Sequence, residues 1–368
     1  MNIGPGITIG SGVNITQNSI SISNSTGLYD FTTFTFSTAN IIGTGAGNLT
    51  TYKSFYNTVN NPWLNDTNYY NVVINGYQLW TVPKTGTYEI EAAGARSGVN
   101  DYVATSGVGF SNGAIIRAQV GLTQGDKLNL IAGQPAQNTV SNNGYNGAGG
   151  GGGTFVVVNT NSTPILIAGG AGGAGRYQGY LAGTSFLGLP GNLGTAGANS
   201  RTFGEPGGTL GSGGRSHTLY GTNSYDGGGG GGFLTSGYNG LGSPAANTTP
   251  GGSVGGGGLS YVNNLTGGAF ASGFAGQASP GGFGGGGGGS PINGGGGGGY
   301  SGGAGTSGTN GTSADGAGGG GSFIIATATN VATSNGTFEN INTFNGVAIA
   351  NLNTYNSGGG YIKITFIQ

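Results

Sequence analysis

Apolar and polar residues alternate in short runs along this chain, and the apolar positions are mostly aromatic or β-branched. This two-residue period is typical of β-strands with one buried face. The runs lie at 31–36, 77–82, 87–92, 114–120, 127–132, 155–158, 165–168, 322–327, 346–349 and 361–366. We identify neither helical spacing nor helix caps, so we expect essentially no α-helix. The pattern predicts an all-β sandwich of about eight to ten strands, closed by the C-terminal strand.

Proline and glycine mark the turns between these runs. Pro83 directly follows one run, and Gly125 separates two others, so both positions predict turns. The segment 159–164 lies between two apolar runs and predicts a β-hairpin over 154–169.

A short repeat precedes the first run. Two six-residue units in 4–15 share the pattern Gly-x-Gly-β-x-β, where β is β-branched, and 19–23 alternates Ser with Ile. We therefore expect residues 1–26 to form an extended leader for attachment or oligomerisation, whose apolar face needs a partner chain or the main domain as cover. A frayed terminus is the alternative. The candidate assembly strand comprises Ile7, Ile9, Val13, Ile15, Ile20 and Ile22.

Glycine is concentrated between residues 141 and 330, in uninterrupted runs that include 149–153, 227–232, 255–258, 284–289 and 294–299. Flexible linkers are one interpretation of such runs. The interruptions are often large and apolar, however, as at Phe233, Tyr261 and Phe283, and this composition is unusual for linkers. We expect instead an inserted bundle of polyglycine-II helices, in which extended glycine chains exchange backbone hydrogen bonds side by side.

These features divide the chain into four parts. The leader 1–26 is followed by the first part of the β-sandwich, 27–148. The glycine-rich region spans 149–321 and includes the hairpin 154–169. The closing strands of the sandwich occupy 322–368.

Composition excludes several classes of function. The 368 residues include 91 Gly and 11 Pro, only 5% are charged, and the net charge is −1. Nine Lys and Arg are too few to supply the clustered charge that phosphate backbones require, so we expect no nucleic-acid partner. We recognise no run that would span a bilayer and no secretion signal, and we expect no membrane insertion. Cysteine is absent, which excludes disulfides, thiolate metal sites and thiol nucleophiles.

Candidate catalytic groups are scarce. His217 is the single histidine, and its nearest acid in sequence is Asp226, so a Ser-His-acid nucleophile lacks an adjacent orienting carboxylate. Glu89 and Glu91 share one face of a predicted strand, which favours a solvated face over acid–base chemistry. Asp226 and Asp315 precede glycines, and a metal bound at these turns is the minor alternative. We predict a non-enzymatic protein without cofactor or metal.

The segments that interrupt the glycine-rich region carry Tyr, Phe, Arg and Asn. Aromatic anchors with adaptable polar neighbours are typical of recognition surfaces. The alternative is that these side chains only seal the ends of the glycine array. The candidate recognition residues are Tyr177, Tyr180, Phe203, His217, Tyr220, Tyr225, Tyr238, Tyr261 and Phe270.

Several motifs resemble a known family in their order along the chain. They are NGYQLWTVPKTGTYEIEAAGARSG (75–98), LNLIAGQ (128–134), GGGGGTFVV…PILIAGGAGGAGRY (149–177), GGFGGGGGGSPINGGGGGGYSGG (281–303), GGGGSFI (318–324) and GGGYIKITFI (358–367). The chain resembles, over 28–368, the extracellular glycine-rich region of the anaplastic lymphoma kinase and leukocyte tyrosine kinase receptors. The resemblance implies a TNF-like, jelly-roll β-sandwich carrying polyglycine-II helices. It does not imply receptor signalling, because the chain lacks the family's cysteine-bearing module and kinase.

A second resemblance concerns the setting. The leader GPGITIGSGVNI (4–15) is similar to leaders of structural proteins in tailed phages and large viruses, and polyglycine-II bundles resemble the receptor-binding tips of T-even-like long tail fibres. We therefore expect a virion surface or tail protein in an extracellular position, which binds a host glycan or protein or decorates the shell beside other virion proteins. TNF-like sandwiches tend to trimerise through an apolar face, so this resemblance implies a homotrimer. The alternative is a subunit of an extracellular filament, or a microbial cell-surface adhesin.

Overall fold

The fold is built almost entirely from β-strands. The computed structural model describes residues 13–16, 19–22, 27–99, 109–138, 147–175, 187–202, 204–216, 225–240, 254–270, 278–307, 315–333, 343–344, 347–348, 350–351 and 356–368. In chain order the strands are β1 (Val13–Thr16), β2 (Ser19–Ile22), β3 (Thr33–Ser37), β4 (Tyr70–Ile74), β5 (Tyr77–Thr81), β6 (Gly86–Ala93), β7 (Ile115–Leu122), β8 (Lys127–Ile131), β9 (Thr154–Val158), β10 (Pro164–Ala168), β11 (Phe323–Ile324), β12 (Thr329–Thr333), β13 (Thr343–Phe344), β14 (Val347–Ala348), β15 (Ala350–Asn351) and β16 (Tyr361–Phe366).

Two six-stranded sheets face each other, which confirms the predicted all-β sandwich. The inner sheet has the strand order β11-β10-β9-β8-β5-β4, and the outer sheet has the order β15-β12-β7-β6-β16-β3. All neighbouring pairs are antiparallel except β12 and β15, which are parallel. Two smaller pairs, β1 with β2 and β13 with β14, complete the described strands. The sandwich is larger than the predicted eight to ten strands because β4, β12 and β15, which lie outside the predicted runs, also pair in its sheets.

Alternation along the strands produces the core between the two sheets. Trp80 and Leu130 on the inner sheet and Ile90, Ile116 and Ile362 on the outer sheet are fully buried in one cluster. Their polar sequence neighbours point to the opposite faces, as the two-residue period requires. The described part of the chain thus contains one main hydrophobic core, which lies between the sheets.

The predicted turns are present, but they cross between the sheets. The turn at Pro83 leads from β5 in the inner sheet to β6 in the outer sheet, and the turn at Gly125 leads from β7 back to β8. The two turns also bind each other, because Val82 donates its N–H to Asp126 O at 2.8 Å and Gly125 donates to Val82 O at 2.9 Å. This mutual contact fixes one end of the sandwich.

The hairpin and the closing strand agree with the sequence. Strands β9 and β10 pair antiparallel across the turn 159–163, with Ile167 opposite Phe155. Strand β16 lies between β6 and β3, with Ile364 opposite Ile90 on one side and Phe34 on the other.

One short helix was not predicted. Residues Leu49–Phe55 form α1, and the side chain of Asn48 accepts a hydrogen bond from the Thr51 N–H at its N-terminus. Asn is among the best N-cap residues, and Asn48 is therefore a cap that was not predicted from the sequence. Tyr52 packs the helix on the core and stacks on Tyr56 at 6.0 Å. At seven residues, the amphipathic pattern is too short to stand out in the sequence.

Candidate recognition surface

The glycine tracts form a hydrogen-bonded array, and the tract 294–299 lies at its centre. Its N–H groups at 295, 296 and 297 donate to carbonyl oxygens of Ala148, Gly228 and Gly318, at 2.8–3.0 Å. Its carbonyl groups accept from the tracts that contain residues 173, 287 and 303. This one tract is therefore bonded to six other segments of the chain. Such a segment cannot behave as a free linker.

The partners of the central tract recur after three residues. The N–H of Gly295 donates to Ala148 and its carbonyl accepts from Gly173, so it is bonded to the tracts 147–153 and 169–175. The N–H of Gly298 donates to Gly151 and its carbonyl accepts from Gly170, in the same two tracts. Residues 296 and 297 are bonded to four different segments. Successive residues therefore point in three directions around the tract.

Glycine is required where tracts approach most closely. A Cβ atom built on Gly302 would lie 1.8 Å from the carbonyl oxygen of Gly230. Real side chains do not reach such distances, so a larger residue would force the two tracts apart. The run of glycines thus sets the spacing of the array.

An aromatic cluster joins the array to the inner sheet; we call it the junction cluster. It combines residues of β5, β8, β9 and β10 with residues that interrupt the glycine tracts, namely Tyr77, Ile131, Phe155, Val157 and Ile167 with Phe233, Tyr261, Leu265 and Phe283. Phe233 stacks on Tyr261 with ring centroids 4.9 Å apart, and Tyr77 donates its hydroxyl hydrogen to Tyr261 O at 3.0 Å. Because these rings cover the second face of β5, β8, β9 and β10, this part of the inner sheet is buried on both faces.

Tyr261 was predicted as a recognition residue, and its position assigns it to the junction cluster instead. It is 7% exposed, and its hydroxyl accepts a hydrogen bond from Asn129 at 3.0 Å. Burial raises the pKa of this hydroxyl. The sequence could not distinguish it from loop aromatics, because both kinds interrupt glycine tracts.

The array continues the axis of the sandwich. Strand β6 runs directly into 94–99, where Ala95 donates its N–H to Gly152 O and Gly98 donates to Gly149 O. Strand β10 runs into 169–175 in the same way. The turns at Pro83 and Gly125 lie at the opposite ends of these strands. We call the end with these turns the proximal end and the other end the distal end.

Seven segments of the sequence are flanked by described residues at the distal end. They are 100–108, 139–146, 176–186, 217–224, 241–253, 271–277 and 308–314, and they lie outside the described residues. We call the residues that flank them the distal layer. Their sequences are rich in Gly, Ser, Thr, Asn and Tyr, and their ionisable side chains, tyrosines aside, are Asp101, Arg176 and His217.

Hydrogen bonds connect the flanking residues into one layer. Val99 donates its N–H to the Asn138 side chain at 3.1 Å, and Ser279 donates to Gly147 O at 3.2 Å. The Arg201 Nε donates to Leu187 O at 2.9 Å. The first two bonds join flanks of three of the seven segments, and the third ties a flank of a fourth segment to Arg201.

The residues that flank the remaining segments are connected by buried polar side chains and by a backbone hydrogen bond. Asn293 donates its side-chain N–H to Tyr225 O at 2.8 Å and accepts from the N–H of Asp315 at 3.2 Å. Gly240 donates its N–H to Gly255 O at 3.0 Å. The distal layer is therefore held together by both backbone and buried side-chain hydrogen bonds.

Two of the acids in this region are fixed by hydrogen bonds. Asp315 is fully buried and accepts from the backbone N–H of Thr202 at 3.0 Å and of Gly316 at 2.7 Å. Glu205 accepts from the Ser307 hydroxyl at 2.9 Å. Within the described residues, no three His, Cys, Asp or Glu side chains lie together as a metal site would require. These hydrogen bonds satisfy the buried carboxylates of Asp315 and Glu205. The two residues thereby help to order the distal layer.

Three predicted recognition residues besides Tyr261 are described, and each lies in or beside the distal layer. Tyr225 follows one of the seven segments directly, Phe270 directly precedes another, and Tyr238 is three residues before a third. Tyr225 and Tyr238 are half-buried, and Phe270 is 37% exposed. The Arg215 guanidinium lies 5.4 Å from the centre of the Tyr238 ring. The other predicted residues lie outside the described structure: Tyr177, Tyr180, Phe203, His217 and Tyr220.

In the leader, β1 and β2 pair with each other as an antiparallel hairpin in which Val13 opposes Ile22 and Ile15 opposes Ile20. Only the backbone of these strands is described, and Ile7 and Ile9 lie outside the described residues. The extended conformation of Val13–Thr16 and Ser19–Ile22 agrees with the predicted extended leader, whereas their pairing with each other was not predicted.

Glu89 and Glu91 lie on the face of the outer sheet that points away from the core, as their spacing predicted. Arg117 on the neighbouring strand lies 3.9 Å from Glu89 and 4.0 Å from Glu91, and Tyr361 donates its hydroxyl hydrogen to Glu91 at 2.8 Å. The pair is thus a cross-strand charge cluster on a polar, partly exposed face. Burial, together with the hydrogen bond and charge of Glu91, raises the pKa of Tyr361.

Comparisons with known proteins give no relative from which a function can be transferred. No family model matches the sequence, and no curated protein is detectably similar to it. Among the described residues, no helix has the length and apolar character needed to cross a membrane.

Proposed function

We propose that this chain is a non-enzymatic surface or tail protein of a virion, which binds a host glycan or protein through its distal end or decorates the shell. The observation that carries the proposal is that the residues flanking seven segments lie together in one hydrogen-bonded layer. Their sequences are charge-poor and contain Tyr and Asn, a composition suited to recognition. The resemblance of the leader to phage and viral leaders supports the setting.

Rigidity of the distal layer is the proposed mechanism. We infer that the glycine tracts are polyglycine-II helices, because bonding partners that recur after three residues are expected of a helix with three residues per turn. A recognition surface held rigid before binding loses less conformational entropy when the complex forms. The array thus provides the order that disulfides provide in many extracellular proteins.

The leader is proposed to attach the protein to the particle or to other copies. Residue Leu28, which follows it, donates its N–H to Pro83 O at 2.7 Å, at the proximal end. Attachment and recognition are thereby assigned to opposite ends of the molecule. The same proposal includes a homo-oligomer, of which a trimer is the first form to expect. It also includes contacts with other virion proteins. Light scattering at micromolar concentration tests it: a trimer is expected, and a lone monomer together with single copies on the particle would contradict it.

The recognition proposal is tested by exchanging segments. The segments 217–224 and 241–253 are each replaced by Gly-Ser sequences of equal length, and the turn 159–163 at the proximal end is replaced as the matched control. We expect the distal exchanges to abolish binding to panels of glycans and host cells while the melting temperature stays unchanged. Unchanged binding in both distal variants would refute the assignment. Hydrolysis of a glycan by the wild-type protein would refute its non-enzymatic character.

A filament subunit or microbial adhesin is the second candidate, and one observation favours it. Strand β4 is an edge of the inner sheet and carries Val73, which is 70% exposed, and Ile74, which is 48% exposed. Exposed apolar edge strands are templates for strand addition by another chain. Deleting residues 1–26 separates the candidates: a filament protein loses polymerisation, whereas a virion protein folds and loses only attachment. Val73→Lys should block polymerisation alone.

A further inference from the structure

We propose that a pocket at the proximal end binds a neutral saccharide ring. The pocket has a volume of about 300 Å³ and is lined by four aromatic side chains, one carboxylate and one ammonium group. These belong to Tyr29, Phe31, Tyr88, Phe366, Asp30 and Lys84. The strands and the turn that carry them come from distant parts of the sequence.

The aromatic walls are held rigid by their own packing. Tyr88 meets Phe366 edge to face with ring centroids 5.2 Å apart, and Tyr29 stacks on Trp63 at 5.3 Å. Phe31 lies 5.2 Å from the Trp80 ring in the core. The walls therefore exist before any ligand arrives, which reduces the entropic cost of binding.

The tyrosine hydroxyl groups already have partners within the protein. Tyr29 donates to Thr81 O, and Tyr88 donates to Lys84 O at 2.7 Å. Each donor hydrogen is thus used by a backbone carbonyl. Tyr88 is fully buried behind the pocket, so what reaches a ligand is mainly the apolar part of the half-buried Tyr29 ring.

The polar groups that remain for a ligand are the charged ones. Neither the Asp30 carboxylate nor the Lys84 ammonium forms a hydrogen bond or ion pair with any other described residue. The Lys84 Nζ lies 5.2 Å from the centre of the Phe366 ring, which places the ammonium against one wall. The pocket thus offers an acceptor, a donor and aromatic surfaces.

A neutral polyol ring satisfies all three features. Its hydroxyl groups donate to a carboxylate and accept from an ammonium, and its C–H face packs on the electron-rich face of an aromatic ring. A purely apolar ligand would leave Asp30 and Lys84 desolvated without partners. An anion would be attracted by Lys84 but repelled by Asp30, and a cation would meet the reverse, so neither ion gains a net attraction from the pair. A neutral ligand that hydrogen-bonds to both groups avoids this repulsion.

The site is separate from the distal layer, so the two proposals fail independently. The pocket lies beside Gly27, where the leader joins the sandwich, whereas the proposed host recognition uses the opposite end. Exchange of distal segments should leave the pocket unaffected.

Saturation-transfer NMR on the full-length protein tests the pocket. The probes are the methyl glycosides of glucose, galactose and mannose, with N-acetylglucosamine, glucuronate and glucosamine as neutral, anionic and cationic comparisons. We expect saturation of ring C–H protons for at least one neutral sugar, with affinity reduced at least tenfold in Asp30→Asn and in Lys84→Gln. Both substitutions keep the side-chain size nearly constant and lie at the surface, so folding is expected to be preserved.

Matched controls place the sugar in this pocket. Glu89→Gln and Lys363→Gln remove one acid and one base from the outer sheet, away from the pocket, and should bind like the wild type. Absence of saturation for every neutral sugar at millimolar concentration would overturn the proposal. Stronger binding of glucuronate or glucosamine, or equal binding by the pocket and control variants, would overturn it as well.

Discussion

A Cβ atom placed on Gly230 would lie 2.0 Å from the carbonyl oxygen of Gly297. The two residues belong to different tracts, and their own N–H groups donate elsewhere, Gly230 to Gly303 and Gly297 to Gly318, both at 2.9 Å. The two tracts therefore pack at a distance that is possible only because the Cα of Gly230 carries a hydrogen atom in place of a side chain. The array has the close packing of a protein core although it contains few side chains.

Gly230→Ala is expected to lower the free energy of unfolding by about 3 kcal/mol, because a methyl group would push on an immobile backbone carbonyl. Gly121→Ala is the control, since a Cβ on Gly121 meets nothing within 4 Å. We expect that control to change stability by less than about 0.5 kcal/mol. Calorimetry measures both, and similar effects of the two substitutions would show that the tracts are not tightly packed.

Tyr261 and Phe270 are both aromatic interruptions of glycine tracts, and the structure predicts opposite consequences of truncating them. Tyr261→Ala should cost about 3–5 kcal/mol, because it opens a cavity in the junction cluster. Tyr261→Phe should cost about 1 kcal/mol through loss of the Asn129 hydrogen bond. Phe270→Ala should stay within about 0.5 kcal/mol. Chemical denaturation measures all three, and a tolerated Tyr261→Ala would refute the role of the junction cluster.

Thr154 links the two sheets where the sandwich meets the array. Its hydroxyl donates to Ala93 O at 2.6 Å and accepts from the Gly133 N–H at 2.9 Å, and the residue is fully buried. Thr154→Val keeps the shape and leaves both backbone groups without partners, so it should destabilise the protein by about 2–3 kcal/mol. Thr154→Ser keeps the hydroxyl and should cost much less. Equal melting temperatures for the two variants would contradict this account.

Buried tyrosines predict a loss of stability in alkali. Burial raises the pKa of Tyr52 to about 12 and that of Tyr88 to about 12, whereas the unfolded chain ionises at about 10. The folded state therefore holds its phenol protons more tightly. This contribution is fully present below about pH 10 and is lost as the pH rises towards about 12.

Melting temperatures from pH 7 to 12, followed together with phenolate absorbance, check this expectation. The melting temperature should be nearly flat up to about pH 10 and then fall, with the phenolate absorbance of the buried tyrosines appearing as the protein unfolds. Tyr52→Phe should make the alkaline fall shallower. Ionisation of all 18 tyrosines at about pH 10 in the folded protein would contradict the burial of these hydroxyl groups.

The sequence by itself determined the local elements. Alternating apolar residues predicted most of the strands, and β16 closes the sandwich as expected, because strand periodicity is a local property of the chain. The array was also predictable in outline, since long glycine runs interrupted by aromatics are poor linkers. The short helix at Leu49–Phe55 was missed, because seven residues give too little periodic signal.

Only the tertiary structure decided which residues meet. It placed Tyr261 in the junction cluster and Phe270 at the distal layer, although both interrupt glycine tracts. It also brought Asp30 and Lys84 into one pocket. The reason is physical: a pattern along the chain reports which face of an element is buried, whereas the identity of its neighbour depends on chain crossings and packing between residues far apart in sequence.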